Sequence, residues 1–189
     1  MSYLSEAPES AERSALYSDE VARLGYVANY TKVFGERPAV YRAWLGLAGA
    51  VRSSMSFERF EVATIAAAQQ RGSDYCALAH GKLLAGRVDP ETVVKIATGS
   101  SDDPEQQAIR ALAGKVAATP ADITPADLEP LRRLGFSDAD VLDVVLATAL
   151  RCFFSTVLSA TGAEPDAVLT GQDPALVAAL TGAGSSTSA

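Results

Sequence analysis

The sequence predicts an all-α protein with a single domain. Signals that start and end helices recur along the chain, and no run of alternating β-branched and polar residues is followed by an Asn-Gly or Asp-Gly turn. With 189 residues, 48% of them hydrophobic, the chain is long enough to bury one core. We expect a helical domain over residues 18–180, after a flexible lead at residues 1–17 and before a disordered tail at residues 181–189, where small polar side chains dominate.

Four helices are expected in the first half of the chain. Each has apolar residues at helical spacing and is bounded by a capping residue, a proline or a glycine. The expected segments run from Ser18 or Asp19 to Phe34, from Pro38 through Trp44 to Ala48, from Ser56 to Gly72, and from Tyr75 to Leu84 with Gly86 as the stop. Trp44 is expected to be a core residue.

The second half predicts further helices from its capping sequences. Asp89-Pro90, Asp103-Pro104 and Thr124-Pro125 each place a capping side chain before a proline, which suits the first helical position. A helix from Ser137 is apolar nearly all round over Val141–Leu150 and should be central, and short helices are expected at Ala167–Thr170 and Ala175–Leu180. We expect a bundle of about seven to eight helices in total.

Charge and composition argue against several classes of function. A net charge of −7 and a pI near 4.7 disfavour binding to nucleic acid or to anionic lipid surfaces. We interpret the chain as cytoplasmic, because it shows neither a signal peptide nor an uninterrupted apolar stretch of membrane-spanning length. It carries no phosphate-binding glycine loop, dinucleotide fingerprint or metal-ligand cluster, so we expect no cofactor and no metal.

Cys76 and His80 are the residues with the clearest chemical potential. They stand four residues apart on one face of the expected fourth helix, and His80 is the only histidine. The first turn of a helix favours a thiolate, and an imidazole beside it can take the thiol proton. The alternative is that both are structural, because a lone cysteine in an alanine-rich helix is usually a small core residue.

A wider pattern resembles a known family. Glu61, Ser73, Cys76 and His80 keep every interval of the signature Glu…Cys-x-x-Cys-x-x-x-His of the alkylhydroperoxidase D and carboxymuconolactone decarboxylase superfamily, with Ser73 in place of the first cysteine. Stretches at residues 25–30 and 134–138 are similar to its peroxidase-related branch, so the resemblance covers most of residues 24–165.

The resemblance implies a thiol-dependent peroxidase. Cys76 would attack the O–O bond of a hydroperoxide, with His80 and Glu61 as the proton relay and a thiol as reductant. Ser73 cannot form the disulfide of the family, and it could instead cap the helix; Glu61 could equally belong to a solvated helix face. Tyr75 is expected to pack beside the site.

Several alternatives stay open at this point. Cys152 could resolve oxidised Cys76, although a buried inert thiol is the simpler interpretation. Phe57, Phe60 and Phe153 could line a substrate pocket or fill the core. The resemblance also permits a non-redox enzyme similar to carboxymuconolactone decarboxylase, or a catalytically silent helical protein. It further implies a homo-oligomer, a trimer or a hexamer.

Overall fold

A computed structural model describes residues 2–5 and 8–182, and the helices within these ranges confirm the all-α class. They contain eleven α-helices, a 3-10 turn at Pro120–Asp122, and no strand. The helices are α1 (Ala11–Leu24), α2 (Asn29–Phe34), α3 (Pro38–Ser53), α4 (Phe57–Gln70), α5 (Asp74–Ala85), α6 (Pro90–Thr98), α7 (Pro104–Ala118), α8 (Pro125–Arg133), α9 (Asp138–Ala160), α10 (Ala167–Thr170) and α11 (Pro174–Thr181).

Helix α4 lies at the centre of the bundle and packs against α5, α7 and α9. Every residue from Phe60 to Gln69 is buried, and four of these ten are alanines. Small side chains let the neighbouring helices approach closely, so a polar group on α4 is enclosed by protein on all sides. Glu61, in the first half of this helix, is therefore held away from water.

Helix α9 is the long core helix that the sequence predicts from Ser137. Ser137 and Asp140 form a capping box at its start, in which each side chain satisfies a backbone N–H of the other. By length and composition α9 could cross a membrane, but half of its most apolar window is buried against other helices, as in the core helix of a bundle. Its outer side leaves Leu142, Leu146 and Phe153 exposed.

The three proline-led helix starts are confirmed. Asp89 and Asp103 accept hydrogen bonds from backbone N–H groups of the first turn, at 2.8 Å in each case, and Thr124 forms a capping box with Asp127. In all three helices the proline occupies the first turn, where its missing N–H leaves no bond unmade.

Four predictions about the elements need correction. The first helix does not run from Ser18 to Phe34: α1 begins at Ala11, and Gly25 ends it in the left-handed conformation, φ 83°, before α2. The described part of the chain therefore has more helices than the seven or eight expected. Trp44 is only partly buried, and Thr181 closes α11 instead of starting the tail, whose residues 183–189 lie outside those described.

Candidate active site

Glu61 and His80 form a buried pair between α4 and α5. The Nδ1 atom of His80 lies 2.5 Å from Oε2 of Glu61, and the two side chains are 7% and 0% exposed. The alternative that Glu61 belongs to a solvated helix face is therefore wrong. Because α4 packs against α5, α7 and α9, Glu61 is enclosed by protein, although Glu58 and Arg59 lie close to it in the sequence.

His80 is neutral in this setting. Burial lowers the pKa of His80 below its ordinary value of 6.5, and the positive charge of Arg151 lowers it further, against the opposing effect of Glu61. A neutral imidazole that bonds to a carboxylate through Nδ1 carries its proton there. Its Nε2 atom is then left unprotonated and can accept a proton.

The other oxygen of Glu61 lies near a cation from α3. Oε1 lies 3.6 Å from Nη2 of Arg52 and accepts no hydrogen bond within the described residues. Arg52 also covers the ring of Phe60, with its guanidinium carbon 5.2 Å from the ring centre. The Glu61 carboxylate thus lies between a neutral imidazole and a half-exposed guanidinium.

Cys76 lies in the first turn of α5 and contacts an arginine from α9. Its side chain is 2% exposed, and Nη1 of Arg151 donates to its sulfur at 3.4 Å. Arg151 is itself buried, at 4% exposure, and no carboxylate of the described residues pairs with it. A guanidinium at this distance stabilises negative charge on sulfur.

Cys76 and His80 open into the same cavity. Its volume is about 750 Å³, and Arg151 lines it as well. Aromatic side chains form much of the remaining wall, namely Tyr26, Tyr30, Tyr41, Trp44, Phe60, Tyr75 and Phe154. Of the three phenylalanines proposed for a pocket, only Phe60 lines it; Phe57 packs on the core, and Phe153 is exposed.

Ser73 does not act as expected. It occupies the N-cap position of α5, but its hydroxyl makes no capping hydrogen bond, and it is buried without a partner among the described residues. The backbone of Ser73 is at φ −101° and ψ 85°, which differs from the extended conformation of Ser56, whose hydroxyl does cap α4. The serine therefore leaves an unused hydroxyl three residues before Cys76.

Tyr75 is held by Asp166, beside the cavity. Its hydroxyl donates to Oδ2 of Asp166 and accepts the backbone N–H of Tyr30 at 3.3 Å. Burial, and after it the Asp166 carboxylate, raise the pKa of Tyr75, so that its hydroxyl remains a donor. Tyr75 thus fixes the cavity wall next to Cys76.

Cys152 lies apart from this arrangement. It is partly buried, burial raises the pKa of its thiol, and it does not line the cavity that Cys76 faces. Neighbouring residues on a helix point about 100° apart, so Arg151 can reach Cys76 while Cys152 faces elsewhere. No group of three His, Cys, Asp or Glu side chains that could hold a metal ion is found within the described residues.

Three further residues of the site, Arg151, Arg52 and Asp166, are not predicted from the sequence. For Arg151 a signal was present: it is the only charged residue between Asp143 and Ala160 of an apolar helix. A charge in such a position is either paired or functional. Its partner, 75 positions away, could not be named without the fold.

The fold has clear relatives among solved structures. No family model and no curated protein matches the sequence. A structure from Ralstonia eutropha, described as an alkylhydroperoxidase AhpD core and an uncharacterized peroxidase-related protein, superposes with a TM-score of 0.78 at 23% identity, covering 89% of this chain and 94% of that one. An uncharacterized peroxidase-related protein from Silicibacter gives 0.72 at 26%, covering 88% and 91%.

A third similar structure is that of an enzyme with a bound organic molecule. It is a variant of the debrominase Bmp8 in complex with 2,3,4-tribromopyrrole, with a TM-score of 0.72 at 16% identity, covering 88% of this chain and 92% of that chain. At this identity the likeness concerns the fold.

Proposed function

Because the chain has the alkylhydroperoxidase D-like fold, we propose that it is a thiol-dependent peroxidase in which Cys76 reduces an organic hydroperoxide. The observation that carries the proposal is the pairing of a buried cysteine with an otherwise unpaired arginine, Arg151, at the cavity that His80 also lines. Glu61 lies behind His80 and fixes its proton-bearing nitrogen.

The oxidation step uses each of these groups. The thiol proton of Cys76 passes to Nε2 of His80, and Arg151 stabilises the thiolate. The sulfur attacks the outer peroxide oxygen, the O–O bond breaks, and the leaving alkoxide takes the proton from His80. The products are a Cys76 sulfenic acid and an alcohol, so that sulfur loses two electrons and the peroxide gains them. Glu61 stabilises the transient imidazolium.

Regeneration of Cys76 is assigned to an external thiol. One thiol condenses with the sulfenic acid, releasing water and forming a mixed disulfide, and a second thiol displaces Cys76 and leaves as the disulfide. Ser73 cannot supply a sulfur, and Cys152 does not line the cavity. A small dithiol that enters the cavity satisfies both steps.

The test is peroxide consumption with a dithiol reductant. We expect turnover by the parent protein and by Cys152→Ser, and only background by Cys76→Ser. Equal background rates for all three proteins would contradict the proposal. The alternatives would then be the non-redox enzyme similar to carboxymuconolactone decarboxylase and the catalytically silent helical protein.

The same proteins test whether Cys152 resolves Cys76. After mild peroxide treatment without reductant, peptide mapping should show oxidation at Cys76 and no Cys76–Cys152 link. A link between the two cysteines would replace the external thiol with an internal one.

A further inference from the structure

The cavity is cationic although the protein is acidic. The chain as a whole carries a net charge of −7. The cavity lining has five cationic side chains and a single carboxylate, that of Asp166; the cations are Arg23, Arg52, Lys82, Arg87 and Arg151. A cavity with walls of low polarity and one sign of charge concentrates ligands of the opposite sign.

The one carboxylate in the lining is already engaged. Asp166 accepts from the hydroxyl of Tyr75 and, at 3.0 Å, from the backbone N–H of Asn29. Arg23 is likewise engaged, because it pairs with Glu20 at 2.8 Å. Asp166 and Arg23 are therefore occupied by contacts within the protein, and the other cations of the lining remain able to bind a ligand.

The remaining cations lack close carboxylate partners within the described ranges. Arg52 has only the 3.6 Å approach to Glu61, which already bonds to His80. Arg87 lies over the ring of Phe57, 5.1 Å from its centre, and Lys82 donates to a backbone carbonyl. Unlike buried Arg151, these three side chains are substantially exposed, so they line the outer part of the cavity.

The cavity also provides an apolar wall with an unused donor. The ring of Trp44 lies 4.3 Å from that of Phe154 and is nearly parallel to Tyr41. Its indole N–H is buried and has no acceptor among the residues described. Rings of this kind favour an aromatic or long apolar ligand body.

We propose that the cavity selects an organic hydroperoxide that carries a carboxylate, with its apolar body on Trp44 and its anionic group on Arg52 and Arg87. This substrate class rests on the proposed function. The peroxide end lies at Cys76 and Arg151, and the carboxylate lies at the outer cations, where guanidinium groups can bind it through two hydrogen bonds. Binding of the carboxylate at the outer cations orients the substrate with its peroxide group toward Cys76.

Binding can be tested without turnover, because Trp44 is the only tryptophan in the chain. Its fluorescence should report titration with 4-isopropylbenzoate, which has no peroxide group. We expect the carboxylate to bind at least about tenfold more tightly than its methyl ester, with the difference falling as salt rises. Equal binding of acid and ester, or no binding of either, would overturn the proposal.

Two variants and a control test which arginines bind the carboxylate of the ligand. Arg52→Gln and Arg87→Gln should each weaken binding of the carboxylate about threefold to tenfold and leave the ester unchanged. Arg133→Gln removes an exposed arginine of α8 outside the cavity and should alter neither. An equal loss in all three variants would assign the effect to net charge and contradict the proposed site.

Turnover separates the substrate class from the reaction. The carboxylate derivative of cumene hydroperoxide should have a higher kcat/KM than cumene hydroperoxide itself, and Arg87→Gln should lower the ratio of the two values. Equal turnover of both peroxides would overturn the substrate class and leave the peroxidase intact. Selective binding of the carboxylate without turnover of either peroxide would overturn the peroxidase function and leave only the carboxylate-binding site.

Discussion

At the scale of single residues, electrostatics explains the site. Within the described residues the only hydrogen bond of the Arg151 side chain goes to the sulfur of Cys76, and its Nε–H is buried without an acceptor. A buried cation without a counter-ion costs several kcal/mol. Under the proposed function, negative charge on the sulfur of Cys76 would offset that cost.

Replacing Arg151 tests this pairing. We expect Arg151→Met to slow the reaction of Cys76 with a hydroperoxide or with iodoacetamide by at least about tenfold, because the thiolate loses its cation. Without the guanidinium the Cys76 thiol can stay protonated, so Arg151→Met leaves no unpaired buried charge, and the variant should remain folded. Stopped-flow kinetics beside circular dichroism measures both, and an unchanged rate in a folded variant would contradict the role.

Burial of neutral His80 should make the protein sensitive to acid. Since the pKa of His80 is lowered on folding, the unfolded state binds its proton more readily, and stability should be full above pH 6.5 and decline below it toward the folded pKa. Urea unfolding across this range should show a smaller decline for His80→Gln than for the parent. Parallel curves would show that His80 does not contribute.

At the scale of elements, local sequence signals predicted most helices. The missed break between α1 and α2 arose because such signals are short-range. Capping residues and prolines are short-range devices, so Ser56, Asp103 and Ser137 mark their helices correctly from sequence alone. The spacing of apolar residues continues past Gly25, which hid the break between α1 and α2. In the structure Gly25 has a positive φ and ends α1, and α2 begins separately at Asn29.

The packing of α11 on α5 gives a test beside the site. A methyl group added at Gly81, the residue after His80, would lie 2.3 Å from Cδ1 of buried Leu180. We expect Gly81→Ala to lower the free energy of unfolding by about 1–3 kcal/mol, because the buried Leu180 side chain must leave its position or α11 must shift. Urea denaturation measures the loss.

Two further variants control for helix propensity and for the clash. Gly46→Ala lies in α3, where an added methyl group meets nothing within 4 Å, and it should stabilise by up to about 1 kcal/mol. Combining Gly81→Ala with Leu180→Ala should cost less than the sum of the two single changes. Additive losses would show that the contact does not govern the packing.

At the scale of the whole molecule, the sequence anticipated the architecture better than the site. Periodicity and the motif intervals located Glu61 and His80, which the fold brings into contact. Arg151 and Asp166 reach the cavity from distant segments, and such contacts depend on the packing of helices rather than on any local pattern.

The outer face of α9 bears on assembly. Leu142, Leu146 and Phe153 lie on one stripe and are 54%, 40% and 45% exposed in the single chain. We expect this stripe to be covered by another copy, as in the trimer or hexamer anticipated from the family resemblance. Light scattering should give an oligomer for the parent and smaller species for Leu146→Glu; a monomeric parent would contradict the expectation.

The most direct test of the central claim is to trap the oxidised sulfur. The folded protein is treated with one equivalent of hydroperoxide without reductant, then with dimedone, and its peptides are mapped by mass spectrometry. We expect the adduct on Cys76, none on Cys152, and a clearly slower reaction in Arg151→Met. Peroxide loss with Cys76 unmodified, or modification of Cys152 first, would contradict the assignment of Cys76 as the reactive residue.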